Sequence, residues 1–194
     1  MSDNFPIVYE REGPLMLGAD DTCLVIVDVQ EKLTAVMHER ERLVRNLAIL
    51  AEAAGLLRLP TVYCEQYPRA LGRTVEELRG HLDAEEAVEK MAFSCMAEPE
   101  FVERLAATEC RNVLLAGIEA HICVCQTAVD LLEKGYNVHL VTDAVSSRTA
   151  ENRDIAIRRM ESEGAVLSTT EMALFELLGT AEHEQFKRIA GLIK

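Results

Sequence analysis

One segment restricts the fold of this chain more than any other: the run Thr22-Cys-Leu-Val-Ile-Val-Asp28. It is almost continuously apolar and rich in β-branched residues, which is typical of a strand buried on both faces of a sheet. Because parallel strands are joined by crossovers that cover the sheet, such a strand predicts helices on both of its sides.

Short β-rich segments and amphipathic helices alternate along the rest of the chain. Apolar residues recur at spacings of three and four from Leu43 to Leu57, which predicts a helix with one apolar face. Further strands are predicted at 60–64, 87–90, 112–116, 137–142 and 165–168. Further helices are predicted at 75–82, 99–108, 122–134, 150–163, 171–178 and 182–193, with a polar loop over 65–73. We therefore predict an α/β fold with three layers, α/β/α, around a doubly wound, mostly parallel sheet. It forms one domain over residues 1–194, the first 15 or so being an N-terminal extension.

The charge of the chain argues against polyanionic partners. With 33 acidic and 20 basic residues the formal net charge is −13, so a nucleic acid or an anionic membrane is expected to be repelled. The N-terminus has no cationic start and no long apolar run, so no export signal is predicted. Six cysteines without a Cys-x-x-Cys pair then predict free thiols in a reducing cytoplasm.

The candidate site residues follow from the rule that ligands bind beyond the carboxyl ends of parallel strands. Asp28 ends the first strand, and it is either a functional carboxylate or a turn-forming residue. Cys123 begins a helix after the strand 112–116, where amide groups and the helix dipole are expected to lower the pKa of a thiol. For an arbitrary cysteine, burial as a small apolar residue is the more common role. Lys90 would stabilise a thiolate and a carboxylate if it lay beside both.

Metal and nucleotide sites are not predicted. The five histidines form no His-x-x-x-His cluster, and the chain contains neither a Gly-x-Gly-x-x-Gly motif nor a Walker-type loop. We expect no metal and no cofactor.

Four segments in order resemble the isochorismatase-like cysteine hydrolases, and among them the isochorismatase domain-containing proteins. The segments are Leu24-Val-Ile-Val-Asp-Val-Gln-Glu-Lys-Leu33, Glu65-Gln-Tyr-Pro-Arg-Ala-Leu-Gly-Arg-Thr-Val-Glu-Glu-Leu78, Glu89-Lys-Met-Ala-Phe-Ser94 and Gly117-Ile-Glu-Ala-His-Ile-Cys-Val-Cys-Gln-Thr-Ala128. The resemblance spans most of the chain, from about residue 20 to 180.

The resemblance implies a catalytic triad of Asp28, Lys90 and Cys123. It also implies a cis peptide between Ile118 and Glu119, and an oxyanion hole formed by the backbone amides of Glu119 and Cys123. The substrate pocket is expected to include Gln30, Tyr67, Phe93 and Ile122, and Arg69 and Arg73 are either contacts for an anionic substrate or simply solvated. Members of the family are typically oligomers, so a homo-oligomer acting on a small molecule is expected.

Differences in sequence from related enzymes restrict the reactions that this chain is expected to catalyse. Nicotinamidases have an Asp-x-His metal motif where this chain has Glu65-Gln66-Tyr67-Pro68, and enzymes that cleave isochorismate lack the nucleophilic cysteine. We therefore expect hydrolysis of a C–N bond in a small amide through a thioester. The alternative is an oligomeric interaction protein, or a redox sensor that uses Cys123, with little hydrolase activity.

Overall fold

The central element is a sheet of six parallel strands in the order β3-β2-β1-β4-β5-β6. The structure is a computed structural model, and it describes residues 16–194, so the predicted N-terminal extension lies outside the described residues. The strands are β1 (Thr22–Val27), β2 (Thr61–Gln66), β3 (Val88–Lys90), β4 (Asn112–Ile118), β5 (Asn137–Ser146) and β6 (Val166–Ser168). The predicted three-layer, doubly wound α/β fold is confirmed, and every strand pair in the sheet is parallel.

Helices cover both faces of this sheet. They are α1 (Glu31–Thr34), α2 (Arg40–Leu57), α3 (Pro68–Leu71), α4 (Glu76–Arg79), α5 (Pro99–Ala107), α6 (Cys125–Glu133), α7 (Ala150–Ser162), α8 (Thr170–Leu178) and α9 (Phe186–Ile193). Among the helices of residues 16–194, none has the length and apolar character needed to cross a bilayer.

Two hydrophobic cores lie on opposite faces of the sheet, and β1 contributes to both. Leu24 and Ile26 pack into the core beneath α2 and α8, whereas Val25 and Val27 pack into the core beneath α5, α6 and α7. This alternation follows from the two-residue period of a strand. All six residues of β1 are buried, as its apolar sequence predicts.

Several predicted boundaries were wrong, mostly where the candidate site lies. The segment 65–73 is not a simple loop, because β2 continues to Gln66 and Pro68 then starts the short helix α3. The helix predicted at 122–134 begins with a π-helical turn, Ala120–Val124, before α6. Strand β5 continues to Ser146 because it stays paired with β4 past an irregular register shift.

Gly117 allows β4 to approach β1 closely just before the candidate site. Its φ is +118°, a conformation that residues with a side chain rarely adopt, and a Cβ atom there would overlap the backbone of Val27. Val27 is its register partner and directly precedes Asp28. Because residue 117 has no side chain, the ends of β1 and β4 can lie this close together.

We predict that Gly117→Ala lowers the free energy of unfolding by more than about 3 kcal/mol, because backbone strain and steric overlap add together. The matched control is Gly55→Ala in α2, where a Cβ meets no atom within 4 Å. That variant should be stabilised by about 0.5–1 kcal/mol through helix propensity. Urea unfolding measures both, and equal stability of the two variants would contradict this account.

Candidate functional site

The carboxyl ends of three strands bring the predicted triad residues together. Asp28 follows β1, Lys90 ends β3, and Cys123 lies in the π-helical turn after β4. Asp28 adopts a left-handed conformation with φ of +53°, which aspartate tolerates better than most residues. Since β3 is separated from β1 by β2, Lys90 reaches Asp28 across the end of the intervening strand.

The ammonium group of Lys90 is enclosed by hydrogen-bond acceptors. Its Nζ lies 2.7 Å from Oδ2 of Asp28 and 2.8 Å from Oε1 of Gln66. It also lies 3.3 Å from the carbonyl oxygen of Ala92 and 3.2 Å from that of Phe93. All four partners accept hydrogen bonds, so the amine is held in its protonated form.

The Lys90–Asp28 pair is a fully buried ion pair, with both side chains 0% exposed. Burial by itself lowers the pKa of Lys90, but the charge of Asp28, the neighbouring Cys95 and Cys123 and the hydrogen bond to Asp28 together more than offset it, so the pKa is raised. Burial also raises the pKa of Asp28, against the opposing effect of Lys90. Within the described residues, Oδ1 of Asp28 is buried and accepts no hydrogen bond of regular geometry.

Cys123 is buried, and its thiol lies within reach of the Asp28 carboxyl. The expectation that its position lowers the pKa of the thiol was wrong. Burial and then the negative charge of Asp28 raise the pKa, and Lys90 opposes them only in part. These surroundings favour the thiol of Cys123 over its thiolate.

The turn between β4 and Cys123 contains a cis peptide between Ile118 and Glu119. The side chain of Glu119 is buried and accepts a 3.0 Å hydrogen bond from Nε of Arg148. In the same turn, Nδ1 of His121 lies 2.8 Å from Oγ of Ser147, so a hydrogen bond holds the imidazole ring in place. The backbone of the turn is thus anchored on both sides of the predicted oxyanion hole.

Two glutamines that sequence reasoning did not place in this role support Lys90. The Gln30 side chain donates to the carbonyl oxygens of Gln66 (3.0 Å) and Gly72 (2.7 Å), and accepts from the amide of Gln66 (2.8 Å). Gln30 is 0% exposed and all these partners are backbone groups, so its amide fixes the end of β2. It was predicted to line the substrate pocket, and that stays a prediction. No signal in the sequence pointed to Gln66, because the strand was predicted to end at residue 64, and the register that pairs Gln66 with Lys90 is visible only in the structure.

The remaining predicted pocket residues differ from Gln30 in exposure. Tyr67 and Phe93 are exposed and Ile122 is partly buried. The backbone amide of Tyr67 donates to the carbonyl oxygen of Lys90, which brings Tyr67 beside the segment 91–93. Met91, which the sequence did not single out, is a second large exposed apolar side chain in that segment, besides Phe93.

Arg73 is paired with two carboxylates of the protein. Its Nη1 lies 2.8 Å from carboxylate oxygens of both Glu65 and Glu89. The other oxygen of Glu65 accepts from the amide and the hydroxyl of Thr74, so this carboxylate is fully engaged. Arg69 is exposed on α3.

No cluster of three or more His, Cys, Asp or Glu side chains in residues 16–194 has an arrangement that could hold a metal ion. At the position of the nicotinamidase motif, Glu65 is bound to Arg73 and Thr74, and Gln66 is bound to Lys90. The side chains there are therefore occupied by partners within the protein.

Comparison with known proteins gives relatives over nearly the whole chain. A secreted isochorismatase effector of Phytophthora sojae is 42% identical over 177 residues, covering 88% of this chain and 83% of the relative. The human isochorismatase domain-containing protein 2 is 40% identical over 173 residues, covering 88% and 82%.

Solved structures share the fold. A protein described as MAR1 ribonuclease from Caenorhabditis elegans has a TM-score of 0.86 at 39% identity and covers 92% of each chain. The YcaC protein of Escherichia coli, described as an octameric hydrolase of unknown specificity, has a TM-score of 0.87 at 25% identity and covers 94% of this chain and 91% of its own. The family model for the isochorismatase domain matches residues 22–172. The chain therefore belongs to the isochorismatase family and has its hydrolase fold.

Proposed function

We propose that this protein is a cysteine hydrolase that cleaves the C–N bond of a small amide, with Cys123 as nucleophile, Asp28 as general base and Lys90 as a fixed cation. The observation that carries the proposal is the buried 2.7 Å contact between Lys90 and Asp28, with the Cys123 thiol beside the same carboxylate. A buried ion pair costs several kcal/mol of desolvation, so it is weak evidence for a purely stabilising role.

The first half of the reaction forms a thioester. As Sγ of Cys123 attacks the amide carbon, its proton passes to Oδ1 of Asp28, which accepts no other regular hydrogen bond. The backbone amides of Glu119 and Cys123 are proposed to stabilise the oxyanion. The proton then moves from Asp28 to the amide nitrogen, the C–N bond breaks, and the amine leaves.

The second half releases the acyl group. Asp28 takes a proton from a water molecule that attacks the thioester carbon. The C–S bond then breaks and Asp28 returns the proton to Sγ, which gives the carboxylic acid and the Cys123 thiol. Lys90 stays protonated throughout, because its four neighbours are all acceptors. Its charge offsets the negative charge that the pair of Asp28 and Cys123 carries in both halves.

The substrate is proposed to be a small molecule with an apolar part. Tyr67, Met91 and Phe93 are large exposed apolar side chains on the segments that follow β2 and β3. Arg73 is paired with two carboxylates of the protein, so it gives no support for an anionic group on the substrate.

The protein is also proposed to form a homo-oligomer. The octameric description of the Escherichia coli relative supports this, as do the exposed apolar side chains near the site, because a neighbouring subunit would cover them. A reducing compartment, such as the cytoplasm, is proposed because all six cysteines are free and buried.

We predict that incubation with a panel of small saturated amides produces a mass increment on Cys123 and a free amine. Cys123→Ala should abolish the adduct and lower the hydrolysis rate at least about a thousandfold, because the nucleophile is removed. Intact-mass spectrometry and amine detection measure the two effects.

The matched control for this experiment is Cys125→Ala, a second buried thiol two residues along. It should keep both the adduct and the activity. An RNA oligonucleotide belongs in the same panel, since the relative from Caenorhabditis elegans is described as a ribonuclease. Amide hydrolysis or RNA cleavage that survives Cys123→Ala would refute the proposed nucleophile.

We predict that Asp28→Asn lowers the pKa of the Cys123 thiol and at the same time slows hydrolysis. The lost negative charge should lower the pKa of the thiol, so the midpoint pH of its alkylation by iodoacetamide falls by about one unit or more. Hydrolysis should nevertheless fall at least about a hundredfold, because the proton acceptor is gone. Asp20→Asn, which removes an exposed carboxylate before β1, should change neither. A midpoint that rises in Asp28→Asn would contradict the proposed electrostatics.

A further inference from the structure

Gln66, which lies outside the proposed triad, makes a short contact with the Lys90 ammonium. Its Oε1 lies 2.8 Å from Nζ, nearly as close as Oδ2 of Asp28, whereas the carbonyl oxygens of Ala92 and Phe93 lie at 3.3 and 3.2 Å. An ammonium group has three N–H donors. Asp28 and Gln66 thus take the two best hydrogen bonds, and the two carbonyls share the third.

The orientation of the Gln66 amide is fixed by its two neighbours. Nε2 donates to the carbonyl oxygen of Met91 at 2.8 Å, and that oxygen can only accept. The Lys90 ammonium can only donate, so the amide oxygen must face it. Gln30 holds the backbone of Gln66 on both its amide and its carbonyl, so the side chain starts from a fixed point.

These contacts determine how the two oxygens of Asp28 are used. A buried ammonium is attracted to both oxygens of a single carboxylate, and it would bridge them if nothing held it to one side. Lys90 contacts only Oδ2, and Oδ1 is left buried without a regular hydrogen bond. Gln66 is the second strong acceptor that draws the ammonium away from Oδ1.

We propose that Gln66 is a positioning residue of the site, whose side-chain oxygen holds the Lys90 ammonium on Oδ2 of Asp28 and keeps Oδ1 available as the proton acceptor for Cys123. The inference rests on the proposed function, because it assigns Asp28 as the base. It adds a residue outside the triad. Because of this residue, Oδ2 of Asp28 binds Lys90 and Oδ1 accepts the proton of Cys123.

Two substitutions at position 66 distinguish this role from a structural one. Gln66→Met keeps the length of the side chain but removes the acceptor, so the ammonium should move over both oxygens of Asp28 and neutralise the carboxylate more fully. Gln66→Glu keeps the acceptor and adds a negative charge beside the pair. The midpoint pH for iodoacetamide alkylation of Cys123, followed by peptide mass spectrometry, reports the effect without a substrate.

We predict opposite shifts. The midpoint should fall in Gln66→Met, because the ammonium then neutralises the carboxylate more fully. It should rise by about one pH unit in Gln66→Glu, in line with the effect of one charge a few ångströms away. A purely structural role would loosen and hydrate the site in both variants, and both midpoints would then fall toward the value of an ordinary thiol. Gln126→Met, an exposed glutamine three residues beyond Cys123, is the control and should leave the midpoint unchanged.

The outcomes also separate this proposal from the proposed function. Midpoints that shift in the same direction, or do not shift, overturn the role of Gln66 even if the wild-type protein hydrolyses amides. Opposite midpoint shifts in a protein that hydrolyses none of the amides support the placement of the ammonium and overturn the hydrolase assignment. If Gln66→Met fails to fold, the rise expected in Gln66→Glu still decides the question, because hydration of the site would lower the midpoint.

Discussion

The buried ion pair between Lys90 and Asp28 is the constraint on which the candidate site depends. Two charges removed from water cost several kcal/mol each unless every donor and acceptor around them is matched. Here the matching groups come from three places: the end of β1, the end of β2 at Gln66, and the segment 91–93. The pair is therefore stable only when these segments take one arrangement, and that arrangement places Cys123 beside the carboxylate.

The same pair contributes, together with burial, to the state of the Cys123 thiol. Burial and then the negative charge of Asp28 raise the pKa of the thiol, and Lys90 opposes them only in part. A thiolate is favoured only when negative charge moves away from sulfur, as happens when the sulfur bonds to a carbonyl carbon. The proposed mechanism therefore has the proton leave sulfur during the attack, with no thiolate formed beforehand.

The fold was predictable because it depends on patterns that are local in sequence. The apolar run of β1 and the leucine spacing of α2 each determine which faces are buried, and the alternation of strands and helices then requires a parallel sheet. The errors lie at 65–73 and 120–124, where the backbone departs from regular geometry to form the site. The lowered pKa expected for Cys123 failed for a related reason. Position at a helix start is visible in a sequence, but burial and the distance to Asp28 depend on tertiary packing.

The contacts of Gln30 and Gln66 at the site were not predictable from the resemblance to a family. The segment from Glu65 to Pro68 was notable at first only for lacking a metal-binding motif. In the structure, Glu65 binds Arg73 and Thr74, and Gln66 binds Lys90. A neutral amide suits this position better than a carboxylate, because a second negative charge would compete with Asp28 for the same ammonium. In the proposed mechanism, the charge at residue 66 would therefore affect how strongly Asp28 acts as a base.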